Sequence, residues 1–337
     1  MKPSTYILII AIGILTTVIW ITSRKCMAKD IEETVTKDFT VKRGQLFSLR
    51  ADLGSVEITS WSQNELKVTV TKRADTNSKN RAKDIFENLE LSFDQDDVGV
   101  RVVVRYHGPK VWWGDSRRLR LHFEVTVPRE FNLDVQTGGG SIQVTDLNGK
   151  IELLTSGGPI MAGKINGSVR AKTSGGSIKI EQAQGPVLAN TSGGSIAIGK
   201  VTGSVEARTS GGSISLEEVT GSAEAHTSGG SLNLKRLSGS ATASTSGGGI
   251  HAEFVGTIDR DCSLRTSGGS IRVFLPANIS IDLDAHTSGG RVESDLPITV
   301  QGVIKNNSIK GKINNGGPLM TLRTSGGNIS VKALEPK

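Results

Sequence analysis

GSVEARTSGGSISLEEVT, residues 203–220, is one copy of a unit that repeats along the middle of the chain. It consists of two nonapeptides that each begin with glycine, at Gly203 and Gly212. Glycines recur every nine residues from Gly140 to Gly248, and two unlike nonapeptides alternate, so the true repeat is 18 residues long. A short fixed period indicates one structural unit stacked on copies of itself.

Within each nonapeptide, apolar residues alternate with polar ones, as at Val169 and Ala171 and then at Ile178 and Ile180. Period two predicts a strand with one buried face, and the Gly-Gly pairs predict tight corners between strands. Two strands and two corners in each repeat predict an all-β fold, a parallel β-solenoid with 18-residue coils. An up-and-down antiparallel sheet is the alternative, and we favour the solenoid because the two nonapeptides differ.

The repeat and the apolar N-terminal segment together predict the domain organisation. Residues 1–28 are a membrane anchor or signal segment, residues 29–38 are a linker, and residues 39–337 are a single β-solenoid domain. This domain comprises an irregular N-terminal part, regular coils, and longer coils with a C-terminal cap, at residues 39–136, 137–255 and 256–337.

The irregular part has elements of its own. Asn77 to Glu90 is predicted to be a helix with Ala82 and Ile85 on its buried face. After the regular coils, the spacing of the corner threonines lengthens to 21 residues twice, at Thr266 and again at Thr287. We therefore expect longer coils there, stacked in chain order.

Residues 6–22 form an uncharged, apolar run that reaches roughly 25 Å as a helix. Tyr6 and Trp20 lie near its ends, where interfacial aromatic residues belong. A signal peptide cleaved after Ala28 is the alternative, but two basic residues before that site argue against cleavage. We expect a single-pass membrane protein whose β domain is extracytoplasmic, since Ser/Thr/Gly-rich solenoids are commoner there, although the basic residues slightly favour the opposite orientation.

Two candidate ligand-binding features stand out. The loop between the strong strands Val98–Tyr106 and Leu119–Val127 places an aromatic pair beside cations, which suits stacking on sugars, bases or lipid headgroups. Its candidate contact residues are Trp112, Trp113, Arg117 and Arg118. Packing of this pair against the fold is the alternative.

The second feature is a mildly basic outward column, formed by the residue before each corner threonine. Stacked coils would place its members about 5 Å apart, where they could meet a polyanion such as an acidic glycan. A solvated strand face is the alternative. The column contains Lys172, Asn190, Arg208, His226, Ser244, Arg265 and His286.

Composition narrows the function classes. The chain has 337 residues, 41 glycines, 4% aromatic residues and a formal charge of +7. Its basic residues are interspersed with acids, so we do not predict nucleic-acid binding. Its two cysteines, Cys26 and Cys262, do not form a disulfide framework.

The sequence also predicts no catalytic residues, no cofactor and no metal site. No aspartate recurs at any phase of the nonapeptide, as a calcium-binding repeat requires. Outward carboxylates at Glu181, Glu217 and Glu253 fall on alternate coils, about 10 Å apart. We therefore do not expect an enzyme, and a carbohydrate-active enzyme is the less favoured alternative.

The repeats, two strand-proline-strand units at Pro128 and Pro276, and the closing segment NNGGPLMTLRTSGGNI, residues 314–329, resemble the bacterial putative-adhesin family, a domain of unknown function. The resemblance covers about Phe39 to Leu334 and implies a β-solenoid-like fold in envelope-associated proteins, often behind one membrane anchor. It supplies no catalytic residues.

These observations lead to a main hypothesis of a non-enzymatic adhesion or cell-envelope interaction module. Its partners would be the membrane, through residues 6–22, and an envelope glycan or another envelope protein. The alternative is a regulatory or stress-response partner of envelope signalling proteins. Ice or mineral binding is disfavoured, because the corner threonines continue the inward-facing set.

Overall fold

The computed structural model describes residues 30–108, 119–300 and 305–335, which fall into two compact units divided between Met161 and Ala162. The predicted membrane anchor at residues 6–22 lies outside this described part. Within it, no helix is long and apolar enough to cross a bilayer. The anchor and the assignment of residues 39–337 to one solenoid domain stay predictions.

The first unit contains one helix and strands that are divided between two sheets. They are β1 (Asp30–Thr40), β2 (Leu46–Ala51), β3 (Ser55–Trp61), β4 (Glu65–Asp75), α1 (Lys79–Glu87), β5 (Leu89–Gln95), β6 (Gly99–Tyr106), β7 (Leu119–Pro128), β8 (Asn132–Thr137), β9 (Ile142–Val144), β10 (Leu147–Asn148) and β11 (Ile151–Thr155). Strand β12 (Ile160–Asn166) contains the boundary between the units.

In this unit one sheet has the order β1-β4-β7-β3-β9 and the other has the order β5-β6-β2-β8-β11. The pairs closer to the regular coils are parallel, for example β2 with β8 and β3 with β9, as solenoid coils require. The pairs β1–β4, β4–β7 and β5–β6 are antiparallel. Antiparallel strands therefore flank the parallel coils of this unit.

Two boundaries differ from the prediction. Strand β1 occupies the segment that was predicted to be a linker and pairs with β4 along its whole length. It was missed because few of its side chains are buried, so its apolar and polar residues do not alternate. The predicted helix is shorter, beginning after its N-cap Ser78, and Ala82 and Ile85 are buried as expected.

The second unit contains the regular coils and the C-terminal strands. They are β13 (Val169–Lys172), β14 (Ile178–Ala183), β15 (Val187–Asn190), β16 (Ile196–Val201), β17 (Val205–Arg208), β18 (Ile214–Val219), β19 (Ala223–His226), β20 (Leu232–Leu237), β21 (Ala241–Thr245), β22 (Ile250–Phe254), β23 (Cys262–Thr266), β24 (Ile271–Leu275), β25 (Ile281–Thr287), β26 (Val292–Ser294), β27 (Ile298–Val300), β28 (Ser308–Ile313), β29 (Leu319–Thr324) and β30 (Ile329–Ala333).

The regular coils stack as parallel strands in exact 18-residue register. Val187 faces Val205 in one sheet, and Ile196 faces Ile214 in the other. This pairing confirms the predicted parallel coils and contradicts the antiparallel alternative, because hairpin-linked neighbours would run in opposite directions. The inward residues, Val and Ala on one side and Ile and Leu on the other, are almost completely buried.

The corner threonines fasten each coil to the one before it. Thr227 is 7% exposed, and its Oγ1 donates a hydrogen bond to the carbonyl of Gly212 in the preceding coil at 2.8 Å. The same oxygen accepts a hydrogen bond from the Gly230 amide at 3.4 Å. These threonines therefore face inward, as predicted. Glycine is needed at Gly212 because a Cβ there would lie 2.2 Å from the Gly194 carbonyl oxygen.

The C-terminal strands do not stack in chain order, which corrects the prediction. Strand β29 lies between β23 and β25, and β30 lies between β24 and β26. The outer edge of β25 is covered instead by β28, which pairs with it in the antiparallel direction. Because β28 occupies one edge of β25, the last coil pairs with the other edge, between β25 and β23.

Candidate functional site

The outward column on the β13–β25 sheet is the candidate functional site. The strand registers place its members side by side on successive strands, in the order Lys172, Asn190, Arg208, His226, Ser244, Arg265, Arg323 and His286. The predicted column is therefore confirmed, with one residue added. Arg323 was missed because sequence reasoning placed His286 directly after Arg265. The Arg-Thr-Ser-Gly-Gly motif shared by residues 265 and 323 was the available signal.

An open groove of about 840 Å³ runs along this column in the second unit. One wall is the column itself, and the other is the row of serines that follow the corner threonines. We call it the Arg-Ser groove; its column and serine residues are Asn190, Arg208, His226, Ser244, Arg265, His286, Arg323, Ser210, Ser228, Ser246, Ser267, Ser288 and Ser325. The row of serines is exposed, so their hydroxyls line the groove at one per coil.

Carboxylates on the same strands hold part of the column in place. Arg208 forms ion pairs with Glu206 on its own strand and with Glu224 on the next strand. His226 Nε2 lies 2.9 Å from Glu224 Oε1, and its Nδ1 lies 2.6 Å from Ser244 Oγ. These contacts link three successive coils. At this end the cationic groups are therefore oriented by their neighbours.

The other end of the groove contains a more available cation. Arg323 pairs with Asp284, with 2.8 Å between Nη2 and Oδ2. Arg265 is exposed, and its Nε donates to the Ser263 hydroxyl at 3.0 Å. In the described residues Arg265 has no carboxylate partner, so its guanidinium retains donors for an external anion.

The structure places Glu206 directly beside Glu224 on adjacent strands, about 4.8 Å apart along the stack. Sequence reasoning missed this pair because it considered the carboxylates of the opposite sheet. The spacing is close to that of the carboxyl pair in retaining glycosidases, about 5 Å, where one carboxyl must be free to protonate the leaving oxygen. Here Arg208 bridges both carboxylates, and His226 also contacts Glu224. The pair therefore acts to orient the column.

Two of the three carboxylates that the sequence singled out on the opposite sheet contact basic side chains. Lys235 Nζ lies 3.3 Å from Glu217, and His251 Nε2 lies 2.8 Å from Glu253 Oε1. Among residues 30–108, 119–300 and 305–335, no group of three or more His, Cys, Asp or Glu side chains is placed to hold a metal ion.

The aromatic loop stays a prediction. Its candidate contact residues Trp112, Trp113, Arg117 and Arg118 lie outside the described residues. The structure therefore brings together one of the two candidate features, the basic column.

The stacked parallel coils and the groove define the class of protein: a repetitive β-solenoid with an open, ligand-accessible face. Residues 48–332 match the family model described as Toastrack DUF4097. The chain therefore belongs to the Toastrack DUF4097 family, which confirms the resemblance drawn from the repeats.

Solved structures similar to this chain cover most of its length at low identity. A putative adhesin from Bacteroides fragilis is 11% identical, with 90% of this chain and 97% of that chain covered and a TM-score of 0.33. A putative adhesin from Parabacteroides merdae is 10% identical, with 90% and 96% covered and a TM-score of 0.36. A putative lipid binding protein from Parabacteroides distasonis is 10% identical, with 90% and 97% covered and a TM-score of 0.37. No curated protein matches the chain.

Proposed function

We propose that this protein is a non-enzymatic cell-envelope interaction module, anchored in the membrane by residues 6–22, with its β domain outside the cytoplasmic membrane. The Arg-Ser groove is the observation that carries the proposal. It combines arginines, histidines and exposed serine hydroxyls over successive coils. A long open groove of this kind suits a polymer better than a compact metabolite, which binds in an enclosed pocket.

The contacts within the groove support binding rather than catalysis. The Glu206–Glu224 pair is held by Arg208 and His226, so no carboxyl in it is left free as a proton donor. Preoriented cations with nearby hydroxyls can instead recognise carboxylate or phosphate groups together with sugar hydroxyls.

A binding experiment tests the proposal. The full-length chain, purified in detergent, would be incubated with peptidoglycan sacculi, isolated anionic envelope polymers and a glycan array. We expect it to be retained by at least one envelope glycan, and the variant with Arg208, Arg265 and Arg323 all changed to Ala to lose most of that retention. Recovery of one specific membrane protein without any glycan would favour the signalling-partner alternative and contradict the proposal.

The location has its own test. A reporter fused after residue 337 should be active only outside the cytoplasmic membrane, and activity in the cytoplasm would contradict the extracytoplasmic part of the proposal.

A further inference from the structure

We propose that the Arg-Ser groove binds an extended, carboxylate-bearing pyranose glycan that runs across the strands with one sugar on each coil, and that Arg265 binds one of its carboxylates. This inference rests on the proposed function and deepens it by naming the ligand class and its register. Four properties of the groove support it.

The first property is the repeat distance. From Arg208 to His286 the column crosses six adjacent strands, so its length is about 24 Å at the usual strand spacing. In an extended chain of pyranose rings, each sugar adds a length that is close to the spacing between neighbouring strands. Successive sugars of such a chain therefore meet equivalent positions on successive coils.

The second property is the pairing of chemical groups. Each coil offers one column side chain and one exposed corner serine, as with Arg265 and Ser267 or Arg323 and Ser325. A serine hydroxyl both donates and accepts hydrogen bonds, as sugar hydroxyls do. A guanidinium binds a carboxylate through two parallel N–H donors. A uronic acid presents both kinds of group on a single ring.

The third property is the low net charge of the face. Beside its three arginines, the strands of the groove carry four carboxylates, Glu206, Glu224, Asp282 and Asp284. Three of these carboxylates pair with Arg208 and Arg323. A phosphodiester polymer bears a charge on every unit and binds best where many cations neutralise it. A balanced face is better matched to a glycan whose hydroxyls make most of the contacts.

The fourth property is the position of the available donors. Arg265 and Arg323 are neighbours on β23 and β29. Arg265 has only the Ser263 hydroxyl as a partner in the described part of the chain. Arg208 is bound by two carboxylates, and Arg323 is bound by the Asp284 carboxylate and by two backbone carbonyls. One carboxylate of the glycan therefore binds at the C-terminal end of the groove, and the neutral parts of the sugars occupy the rest.

The test uses hyaluronan oligosaccharides of two, four, six and eight sugars, in which every second sugar carries a carboxylate, with their fully methyl-esterified counterparts as matched neutral controls. Binding to the full-length chain is measured by isothermal titration calorimetry. We expect affinity to rise about tenfold from two to six sugars and then to level off, because six coils are then occupied. Esterified chains should bind more weakly by about tenfold.

Variants locate the contact. Arg265→Ala should weaken hexasaccharide binding about tenfold, and Arg265→Gln should do the same with less change of shape. Arg272→Ala removes an equally exposed arginine from the opposite sheet and should leave the affinity unchanged. Circular dichroism before titration verifies that each variant is folded.

The outcomes separate the inference from the proposed function. Affinity that does not depend on chain length, an Arg265 variant that binds normally, or tighter binding of poly(glycerol phosphate) than of the hexasaccharide would overturn the inference. The proposed function would survive these results if envelope glycans still retain the chain through the groove. Loss of all glycan retention would overturn both.

Discussion

The regular coils of the second unit and its C-terminal strands use the same corner but reach it by different routes. In the regular coils, Thr227 bonds to Gly212, which lies 15 residues earlier in the chain. In the inserted coil, which is formed by β29 and β30, Thr324 makes the same 2.8 Å bond to Gly269, which lies 55 residues earlier. The local geometry is the same although the connection differs. The corner motif therefore specifies how two coils join, and it does not specify which two coils join.

The largest expected effect comes from removing the inserted coil. Deleting residues 315–337 removes four side chains that are at most 1% exposed, Met320, Leu322, Ile329 and Val331. Each such side chain contributes about 1.5–3 kcal/mol when buried, so β25 to β28 should detach. Limited proteolysis with mass spectrometry should then find rapid cleavage between residues 277 and 300.

The matched control for this deletion removes one regular coil, residues 203–220. This deletion joins Thr202 to Gly221 and leaves an identical register on both sides. We expect resistance to proteolysis to be retained. Equal sensitivity in the two deletions would contradict the view that the inserted coil holds the C-terminal strands in place.

The next effect concerns the close approach of the glycine corners. A Cβ at Gly212 or at Gly327 would lie 2.2 Å from a backbone carbonyl oxygen of the neighbouring coil, but one at Gly211 would lie 3.2 Å away. Gly212→Ala and Gly327→Ala should therefore each destabilise the fold by about 3 kcal/mol, and Gly211→Ala by less than about 1 kcal/mol. Urea unfolding measures all three. A mild effect at Gly327 alone would mean that the inserted corner is built differently.

A smaller effect is expected from the corner hydroxyls. Thr227→Val keeps the shape but leaves the Gly212 carbonyl and the Gly230 amide without this partner, at a cost of about 1–3 kcal/mol. Thr324→Val removes the same pair of contacts in the inserted coil. The two losses in the free energy of unfolding should agree closely. A clear difference would show that sequence separation alters the strength of the corner.

The smallest effect comes from charges on the outer face of the regular coils. A hydrogen bond from Lys200, 2.7 Å from Glu218, holds the pKa of the Glu218 carboxyl below its usual value. A lowered folded-state pKa adds stability above the unfolded pKa, and this stability is lost as the pH falls through the folded pKa. Because the Lys200–Glu218 pair is partly exposed to solvent, Lys200→Ala should cost at most about 0.5 kcal/mol at pH 7. Urea unfolding at pH 2 should show no loss, and an equal loss at both values would contradict the assignment.

Much of the second unit could be predicted from the sequence, because each regular coil pairs with a neighbour 18 residues away. Alternating residues such as Val205 and Ala207 identified the buried face, and the corner threonines identified the column beside it. The family and the basic column followed from the same repeat.

Two of the missed features depend on long-range choices that a repeat does not encode. Nothing local distinguishes a strand that follows β25 from one that inserts beside it, so Arg323 was left out of the column. Strand β1 was missed because an edge strand with little burial has no alternating pattern. The Glu206–Glu224 pair is different, because its members lie one 18-residue repeat apart and the repeat does encode it; it was missed because only the carboxylates of the opposite sheet were considered.

Engineered disulfides test the central claim, that β29 lies between β23 and β25 and completes the groove. The background chain carries Cys26→Ser and Cys262→Ser. Two cysteine pairs are then introduced at directly facing positions: Ser263→Cys with Thr321→Cys in one chain, and Thr321→Cys with Asp284→Cys in another. Both pairs should readily form disulfides. The control pair, Ser263→Cys with Asp284→Cys, lies two strands apart, at about 9.6 Å, which exceeds the Cα–Cα distance of about 7 Å that a disulfide can span. Mass spectrometry of the oxidised chains decides the matter. Cross-linking of 263 with 321 and of 321 with 284 is the predicted result, and efficient cross-linking of 263 with 284 would contradict it.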